Sequence, residues 1–337
     1  MSDFSIGVDL GGTNLRIAAV SRDGRILERI NLKAKAIRGP DHVISEMCDA
    51  ILRLTAQCQG AGNFLGAGIG IPGIIDLEAG TVRKSANLPG WCDYPVRAEI
   101  ERRLGAKVLL DNDANFAALG EKWMGAARDV SNMAILTLGT GIGGGIILNS
   151  KIFHGNNGMA GEFGHIPIEW EGFPCGCGSH GCAEQYASAS ALMRMAREEI
   201  ASGAAPALAS SASAGEFNAK TIYDLAMQGD EPSRNIFRRF GQALGFLLAG
   251  LVNSWNLEMF VIGGGVVSAW DAFSPTMFKE LRSRSIVYAA SDPLDDSKSQ
   301  DVGNSSKFRR KVTVITKALL GSDAGLYGAA RSPTQSS

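Results

Sequence analysis

The stretch "VDLGGTN" near the start of the chain interrupts two apolar runs with one carboxylate, two glycines and a threonine. Aspartate and glycine both weaken a strand, so their presence here indicates a requirement other than stability. The N–H groups of a Gly11-Gly12-Thr13 turn can cradle phosphate oxygens, and Thr13 adds a hydroxyl donor. Asp9 could hold Mg²⁺ through water. The alternative is a tight hairpin with an incidental acid.

The stretch "LGTGIGGG" supplies a second glycine turn. Gly139, Gly141 and Gly144 match the dinucleotide-binding fingerprint, but that fingerprint requires a helix after the turn, and "GIILNSKIF" continues as a strand. A Walker A loop is excluded because the chain contains no Gly-Lys pair. The two turns therefore predict one phosphate-binding hairpin in each of two domains. A third run, 263–265, either lets a nucleoside lie flat or serves as a packing turn.

The stretch "LLDNDANFAALGE" places Asp111, Asn112 and Asp113 at a predicted strand-to-helix junction. Helix capping accounts for one of these three polar residues, because Asp and Asn are both good N-caps. A carboxylate at the end of a strand could instead orient a substrate hydroxyl and accept its proton, as kinases require. Asn112 could hydrogen-bond a sugar hydroxyl beside it.

The most specific stretch is "GEFGHIPIEWEGFPCGCGSHGCAEQ". It contains a His-x9-Cys-x-Cys-x4-Cys set, formed by His165, Cys175, Cys177 and Cys182. Four such ligands suit a closed, tetrahedral and therefore structural Zn²⁺ site. The alternatives are reduced thiols, a disulfide, or His180 in place of His165; we favour His165 because its second ring nitrogen could contact substrate. Glu162 and Glu184 flank the set and suit hydrogen bonding to sugar hydroxyls.

The elements that must position these residues occur in a repeated order. The first half predicts three strands joined by turns, then a helix over 41–58 with Asp41 as N-cap, a strand at 64–73, a helix at 94–105, a strand at 106–111 and a helix at 114–125. The order restarts at 132–153. Later segments are helices at about 183–201 and 232–254, strands within 257–265 and 311–318, and a closing helix at 323–330.

Two copies of a three-stranded meander, each followed by further helices and strands, predict two similar α/β domains facing one cleft. The Ala/Ser-rich segment 201–217 and the polar segment 291–310 are predicted as surface loops.

The composition narrows the class of protein. The 337 residues suit two domains, and a net charge of −1 provides no basic field for nucleic acid or anionic lipid. The longest apolar run, "ALGFLLAGLV", is shorter than the roughly 20 residues of a membrane-spanning helix. A predicted strand begins almost at once, so we expect no signal peptide. Three of the six cysteines are spaced closely, as metal ligands are. This spacing and the expected lack of a signal peptide favour a reducing cytoplasm.

These stretches together resemble the ROK family of sugar kinases and repressors, and the resemblance covers essentially the whole chain. It implies an α/β fold of two actin-like (ribonuclease H-like) ATPase domains around a central cleft. The N-terminal domain would comprise residues 1–118 plus a C-terminal helix at about 320–333. The larger C-terminal domain would comprise 119–319, with the zinc module at 165–182.

The resemblance also implies roles for residues, with Asp113 as catalytic base. The sugar-binding residues would be Gly73, Asn87 in "NLPGW", Asn112, Asp113, Glu162, His165 and Glu184. The nucleotide-binding residues would be Asp9, Gly11, Gly12, Thr13, Asn14, Gly139, Thr140, Gly141, Gly143, Gly263, Gly264 and Gly265. The zinc ligands would be His165, Cys175, Cys177 and Cys182.

The activity implied is transfer of a phosphoryl group from ATP to the 6-hydroxyl of a hexose, with Mg²⁺ as cofactor and Zn²⁺ as a structural ion. Glucose is the expected substrate; N-acetylglucosamine, N-acetylmannosamine or another hexose is the alternative. The expected protein is a cytoplasmic homodimer or tetramer without nucleic-acid or membrane partners. A non-catalytic sugar sensor or repressor is the alternative from another class, disfavoured by the lack of an N-terminal DNA-binding segment. A nicotinamide oxidoreductase is a distant third.

Overall fold

The computed structural model describes residues 3–85, 87–215, 217–291 and 311–335. They form two compact units. Unit 1 consists of Met1–Ile135, Gly144–Gly161 and Ala318–Ser337, and unit 2 of Leu136–Gly143 and Glu162–Lys317. The boundaries expected from the sequence, 118/119 and about 320–333, stay a prediction.

Twelve strands are present in the described part of the chain. They are β1 Phe4–Leu10, β2 Asn14–Ser21, β3 Ile26–Lys33, β4 Phe64–Ile71, β5 Ile74–Asp76, β6 Thr81–Lys84, β7 Val108–Asn112, β8 Met133–Leu138, β9 Ile142–Leu148, β10 Lys151–Ile152, β11 Met259–Gly263 and β12 Val314–Lys317. The described α-helices are α1 Pro40–Gln57, α2 Val96–Leu104, α3 Asp113–Trp123, α4 Ala189–Ala201, α5 Pro206–Ser213, α6 Ala219–Gln228, α7 Glu231–Trp255, α8 Trp270–Arg284, α9 Ile286–Ser291 and α10 Ala324–Gln335.

The predicted repeat is confirmed by the order of the strands. One five-stranded sheet has the order β3-β2-β1-β4-β7, and the other has the order β10-β9-β8-β11-β12. In the first sheet β1 pairs antiparallel with β2 and parallel with β4, and β4 pairs parallel with β7. Each sheet therefore begins with a three-stranded meander and continues with two later strands on the side of the first strand. Short β5 and β6 form a separate hairpin.

The core of unit 1 lies between this first sheet and helices α1 and α2. Helix α1 buries one face of regularly spaced apolar residues, namely Val43, Ile44, Met47, Ile51 and Leu54. The prediction that Asp41 caps this helix is wrong: Gly39 is the N-cap, Pro40 occupies the first turn, and Asp41 follows it inside the helix. Proline favours the first helical position because its φ is already helical and no N–H is needed there.

The prediction of a loop over 201–217 is wrong for its centre. Helix α5 forms there because alanine is the best helix former, Pro206 occupies its first turn, and Leu208 supplies a buried anchor. Of the other predicted loop, 291–310, residues 292–310 lie outside the described part of the chain. No helix in the described ranges is both long and apolar enough to span a membrane.

Helix α10 lies directly on the sheet of unit 1. A Cβ atom on Gly7 of β1 would collide with the carbonyl oxygen of Leu326, and one on Gly68 of β4 would collide with that of Ala329. The backbone of the helix therefore touches the backbone of both strands, which only glycine allows at these two positions.

Helix α10 crosses α3 in the same way. A Cβ atom on Gly328 would collide with the carbonyl oxygen of Phe116, and one on Gly120 would collide with that of Ala324. Helix α3 begins at Asp113, so this crossing helps to fix where that residue lies.

We expect Gly328→Ala to destabilise the protein by about 1–3 kcal/mol, because the added methyl forces the two helices apart. Gly250→Ala is the matched control, since Gly250 is an exposed glycine of helix α7 with no described atom within 4 Å of the new Cβ. That control should leave stability unchanged or raise it by up to about 1 kcal/mol, because alanine favours helix. Denaturant unfolding midpoints measure both, and equal stability of the Gly328→Ala protein and the parent would contradict the packing argument.

Candidate functional site

The first predicted phosphate turn connects β1 to β2. The Gly11 N–H donates to the Asn14 carbonyl at 2.8 Å, and the Ala34 N–H donates to the Thr13 carbonyl at 2.9 Å. Gly12, Thr13 and Asn14 are exposed. The turn is therefore anchored at its ends while its tip faces solvent, as a backbone anion site requires.

Asp9 lies one residue before the end of β1, next to an arginine that the sequence analysis had not singled out. Arg16 Nη1 lies 3.4 Å from Asp9 Oδ2 and donates to the Ser322 carbonyl at 3.1 Å. Burial raises the pKa of Asp9, and the charge of Arg16 opposes that shift. The signal was available in the sequence, because the antiparallel register of a β1–β2 hairpin places Asp9 opposite Arg16.

Asn87 lies against this first turn. A Cβ atom on Gly12 would be 3.1 Å from the Asn87 carbonyl oxygen. The structure therefore brings a residue expected at the nucleotide and one expected at the sugar into contact within unit 1.

The three polar residues at the strand-to-helix junction, Asp111, Asn112 and Asp113, make different contacts. Asn112 is the N-cap of α3, because its Oδ1 accepts from the Ala114 N–H at 2.9 Å. Its Nδ2 donates to the Gly73 carbonyl at 3.3 Å, which brings these two predicted sugar-binding residues together. Asp113 is the first residue of α3 and is half-buried, with Oδ1 2.9 Å from the Ala114 nitrogen. Capping thus falls mainly to Asn112.

Asp111 is buried and pairs with His154, whose Nε2 lies 2.7 Å from Asp111 Oδ2. The hydrogen bond to Asp111 raises the pKa of His154, while burial opposes this shift. His154 was not among the predicted site residues. The sequence signal was weak: it is one of only four histidines and precedes the glycine-containing segment "GNNG".

The second predicted phosphate turn connects β8 to β9 in unit 2. The Gly139 N–H donates to the Gly141 carbonyl at 3.0 Å, and the Gly139 carbonyl accepts from the Ala189 N–H at 2.8 Å. Thr140 at the tip is exposed, and Gly143 lies in β9. Because a strand follows this turn, the exclusion of a dinucleotide-binding turn is confirmed.

The third glycine run adjoins the second turn. Gly263 ends β11, and Gly265 begins a short 3₁₀ helix. Gly264 has a φ of 85°, and a Cβ atom there would collide with the backbone of Leu138, the residue before the second turn. The packing interpretation of Gly264 therefore has direct geometric support.

The predicted zinc ligands converge in unit 2. One donor atom from each of His165, Cys175, Cys177 and Cys182 lies within 4.8 Å of the other three. Cys177 Sγ is 3.7 Å from Cys182 Sγ, and Cys175 Sγ is 3.6 Å from His165 Nδ1. Tetrahedral Zn²⁺ with its usual bond lengths places two sulfurs about 3.8 Å apart and a sulfur and a nitrogen about 3.5 Å apart.

These distances fit a structural zinc ion, and they are far longer than the roughly 2.05 Å of a disulfide bond. His180 is exposed and lies outside the cluster. Burial raises the pKa of the Cys175 thiol to about 12. Zinc would offset that effect, because its positive charge stabilises the thiolate form.

Two carboxylates border the cluster. Glu184 Oε1 lies 3.1 Å from Cys175 Sγ and 3.7 Å from His165 Nδ1, whereas Glu162 Oε2 lies 3.8 Å from His165 Nε2. A Cβ atom on Gly141 would collide with the Glu184 carboxylate. Unit 2 therefore gathers three predicted sugar ligands, the zinc ligands and the second glycine turn. His165 thus faces Cys175 with Nδ1 and Glu162 with Nε2, and its double role as zinc ligand and sugar ligand stays a prediction.

A cavity of about 260 Å³ also lies in unit 2, among helices α6, α7 and α8. Its lining includes Met227, Arg234, Arg238 and Asp271, and none of the predicted site residues.

Comparison with known proteins identifies the class. Residues 5–332 match the ROK family. The chain is 36% identical to a glucokinase of Halalkalibacterium halodurans over 97% of this chain and 94% of that protein. It is 32% identical to a xylose repressor of Caldicellulosiruptor bescii over 84% of this chain and 71% of that protein.

Among solved structures, a ROK family glucokinase from Streptomyces griseus in complex with glucose and AMPPNP is similar, with a TM-score of 0.78 and 33% identity. The match covers 98% of this chain and 99% of that one. The chain therefore belongs to the ROK family, and it has the actin-like ATPase fold of that family's glucokinases.

We expect Cys175→Ser to abolish stoichiometric zinc binding and to lower the thermal midpoint, because the glycine-rich loop loses one of its four ligands. Cys92→Ser is the matched control, since Cys92 is an exposed free thiol outside the cluster. Elemental analysis of the purified proteins should give about one zinc per chain for the parent and the control. Equal zinc content in the Cys175→Ser protein would contradict this assignment.

Proposed function

We propose that this protein is an ATP-dependent hexose kinase that transfers the γ-phosphoryl group to the 6-hydroxyl of glucose. The observation that carries the proposal is the full-length similarity to the Streptomyces griseus glucokinase, whose structure contains glucose and AMPPNP. AMPPNP is an ATP analogue, so glucose and an ATP-like nucleotide occupy the same related protein. The similarity to the Halalkalibacterium halodurans glucokinase points the same way.

Asp113 acts as the general base in this proposal. Its carboxylate aligns the 6-hydroxyl and accepts its proton as the new O–P bond forms and the bond from the γ-phosphorus to the ADP oxygen breaks. The Asn112 Oδ1 accepts the helix-cap bond, and Nδ2 has a second hydrogen besides the one donated to Gly73, so Nδ2 can donate to a sugar hydroxyl. Gly73 and Asn87 lie close to the same substrate.

The nucleotide is held mainly by backbone groups. The turn Gly11–Thr13 with Asn14, and the turn Gly139–Gly141 with Gly143, bind the phosphates in this proposal. The backbone N–H groups at the tips of the turns are the donors, because the N–H groups of Gly11 and Gly139 already close the turns themselves. The run Gly263–Gly265 accommodates the nucleoside. Asp9 would hold Mg²⁺, and the ion would supply positive charge near the phosphoryl group that is transferred.

Glu162, His165 and Glu184 bind the sugar hydroxyls in this proposal. The support is that Glu162 and Glu184 both lie next to His165 of the zinc cluster, with its Nε2 3.8 Å from Glu162 Oε2 and its Nδ1 3.7 Å from Glu184 Oε1. With His165, Cys175, Cys177 and Cys182 as ligands a zinc ion would have no open position, so its role would be to hold these side chains in place.

We also infer a cytoplasmic homodimer or tetramer that works without a nucleic-acid or membrane partner. The near-zero net charge of −1 supports the absence of a nucleic-acid partner, because no overall positive field attracts phosphate backbones. The three thiols of the zinc cluster support a reducing compartment.

A sugar-responsive sensor is the second candidate, because the chain is also similar to a xylose repressor. The two candidates differ in turnover. A sensor needs a sugar site but no general base, whereas Asp113 and both glycine turns serve phosphoryl transfer.

A coupled assay of ADP release tests the proposed function. The purified protein with MgATP is compared across glucose, mannose, fructose, allose, N-acetylglucosamine and N-acetylmannosamine. We expect glucose to give the highest kcat/KM, and no turnover without a divalent cation. Stoichiometric sugar binding without ADP release would overturn the kinase proposal in favour of the sensor.

We expect Asp113→Asn to lower kcat by on the order of 10²–10⁴-fold, because the amide cannot accept the hydroxyl proton. Asp129→Asn is the control at an exposed aspartate beyond the end of α3, and its kcat should equal that of the parent. Glucose affinity measured by calorimetry should change little in either variant. Near-normal turnover by Asp113→Asn would rule out its role as base.

A further inference from the structure

Asp111 is a buried carboxylate with three polar partners. Its Oδ1 accepts from the Asn112 N–H at 2.8 Å and from Asn115 Nδ2 at 2.8 Å, and its Oδ2 lies 2.7 Å from His154 Nε2. An ionised carboxylate only accepts hydrogen bonds, so His154 donates from Nε2. The side chain of Asp111 is only 7% exposed, and these contacts take the place of water.

His154 is itself fixed at both its side chain and its backbone. It lies two residues after β10, and its carbonyl oxygen accepts from the Ala160 N–H at 3.1 Å, which closes the loop 154–160. Gly155 and Gly158 in this loop have φ values of 70° and 85°, which favour glycine. The loop backbone therefore sets the place from which the imidazole reaches Asp111.

Asp111 directly precedes the two junction residues that act on the sugar in the proposed function, Asn112 and Asp113. Its carboxylate is bonded to the backbone N–H of Asn112. Removing the donor at Oδ2 would leave a buried carboxylate oxygen unpaired, which is costly, so the carboxylate would turn towards another partner. Its contacts with Asn112 and Asn115 would then weaken. General-base catalysis requires hydrogen-bond distance, and a shift of about 1 Å can cost on the order of 10²-fold in rate.

We propose that His154 is a positioning residue for phosphoryl transfer: it holds Asp111, and Asp111 fixes the junction that carries Asn112 and Asp113. This inference rests on the proposed function, because it gives His154 a purpose only if Asp113 is the base. In this role His154 needs only a hydrogen-bond donor at the position of Nε2, and it does not itself touch the substrate.

Two variants test the need for this donor: His154→Gln and His154→Asn both carry a side-chain amide but differ in length. The Nε2 of Gln lies close to where the Nε2 of His lies, so His154→Gln keeps a donor in reach of Asp111. The Asn side chain ends one methylene earlier, so His154→Asn keeps the amide but cannot make the bond. His42→Asn is the control, because His42 also faces a carboxylate in unit 1, with Nε2 3.5 Å from Glu46 Oε1 on α1.

We expect His154→Asn to lower kcat for glucose phosphorylation by about 10- to 100-fold, with KM for ATP unchanged within about twofold. His154→Gln should recover kcat to within about threefold of the parent, and His42→Asn should match the parent. Circular dichroism and thermal midpoints, measured on the same samples, give the folded fraction by which each kcat is corrected. If His154→Asn does not fold, Asp111→Ala tests the same bond from its other side, because it leaves His154 Nε2 no partner at position 111, with the same expected loss of kcat.

Retention of kcat by His154→Asn would overturn the inference, as would a loss that disappears after correction for the folded fraction. A loss that His154→Gln shares in full would also overturn it, because the bond to Asp111 would then not be the cause. These results leave the proposed function standing, since the parent enzyme is active in each. An inactive parent overturns the proposed function and the inference together.

Discussion

The close approach of helix α10 to the rest of unit 1 is the constraint on which that unit depends. Glycine allows the helix backbone to touch β1, β4 and α3, at Gly7, Gly68 and the crossing with α3. Strand β1 leads into Asp9 and the first glycine turn, and α3 begins at Asp113. Because one helix is wedged against both elements without intervening side chains, their ends are held at a fixed spacing. Interiors packed at such density transmit small shifts rather than absorbing them.

In unit 2 the site segment is organised around a cluster of metal-ligating side chains rather than around a helix. This segment, 162–184, is rich in glycine, and its regular structure consists of two short 3₁₀ turns and two isolated β-bridges. The four predicted zinc ligands converge there, and the carboxylate of Glu184 that borders them lies against Gly141 of the second turn. Glu184 therefore connects the zinc ligands to the second glycine turn, because it contacts both Cys175 and Gly141.

Much of this arrangement could be predicted because its signals are local. The meanders follow from apolar runs broken by glycine turns, and the zinc cluster follows from ligands spaced within eighteen residues. Two predictions were wrong because a proline sets where each helix starts. Asp41 was predicted as N-cap, since Asp favours that position, but Pro40 begins α1. The Ala/Ser-rich segment was predicted as a loop, but Pro206 begins α5 there. The pair formed by Asp111 and His154 could not be predicted, since it joins residues 43 positions apart in sequence. The glycine contacts of α10 likewise depend on tertiary packing.

The distribution of unit 1 along the chain has a consequence for biosynthesis. Every part of unit 2 has been translated by residue 317, whereas unit 1 still lacks α10. A nascent chain would therefore leave the glycine-lined surfaces of β1, β4 and α3 uncovered until α10 emerges from the ribosome. Unit 1 therefore cannot complete its fold before unit 2 has been synthesised, unlike a domain that folds in N-terminal-first order. During that interval the unfinished N-terminal unit is the part of the nascent chain most in need of a chaperone.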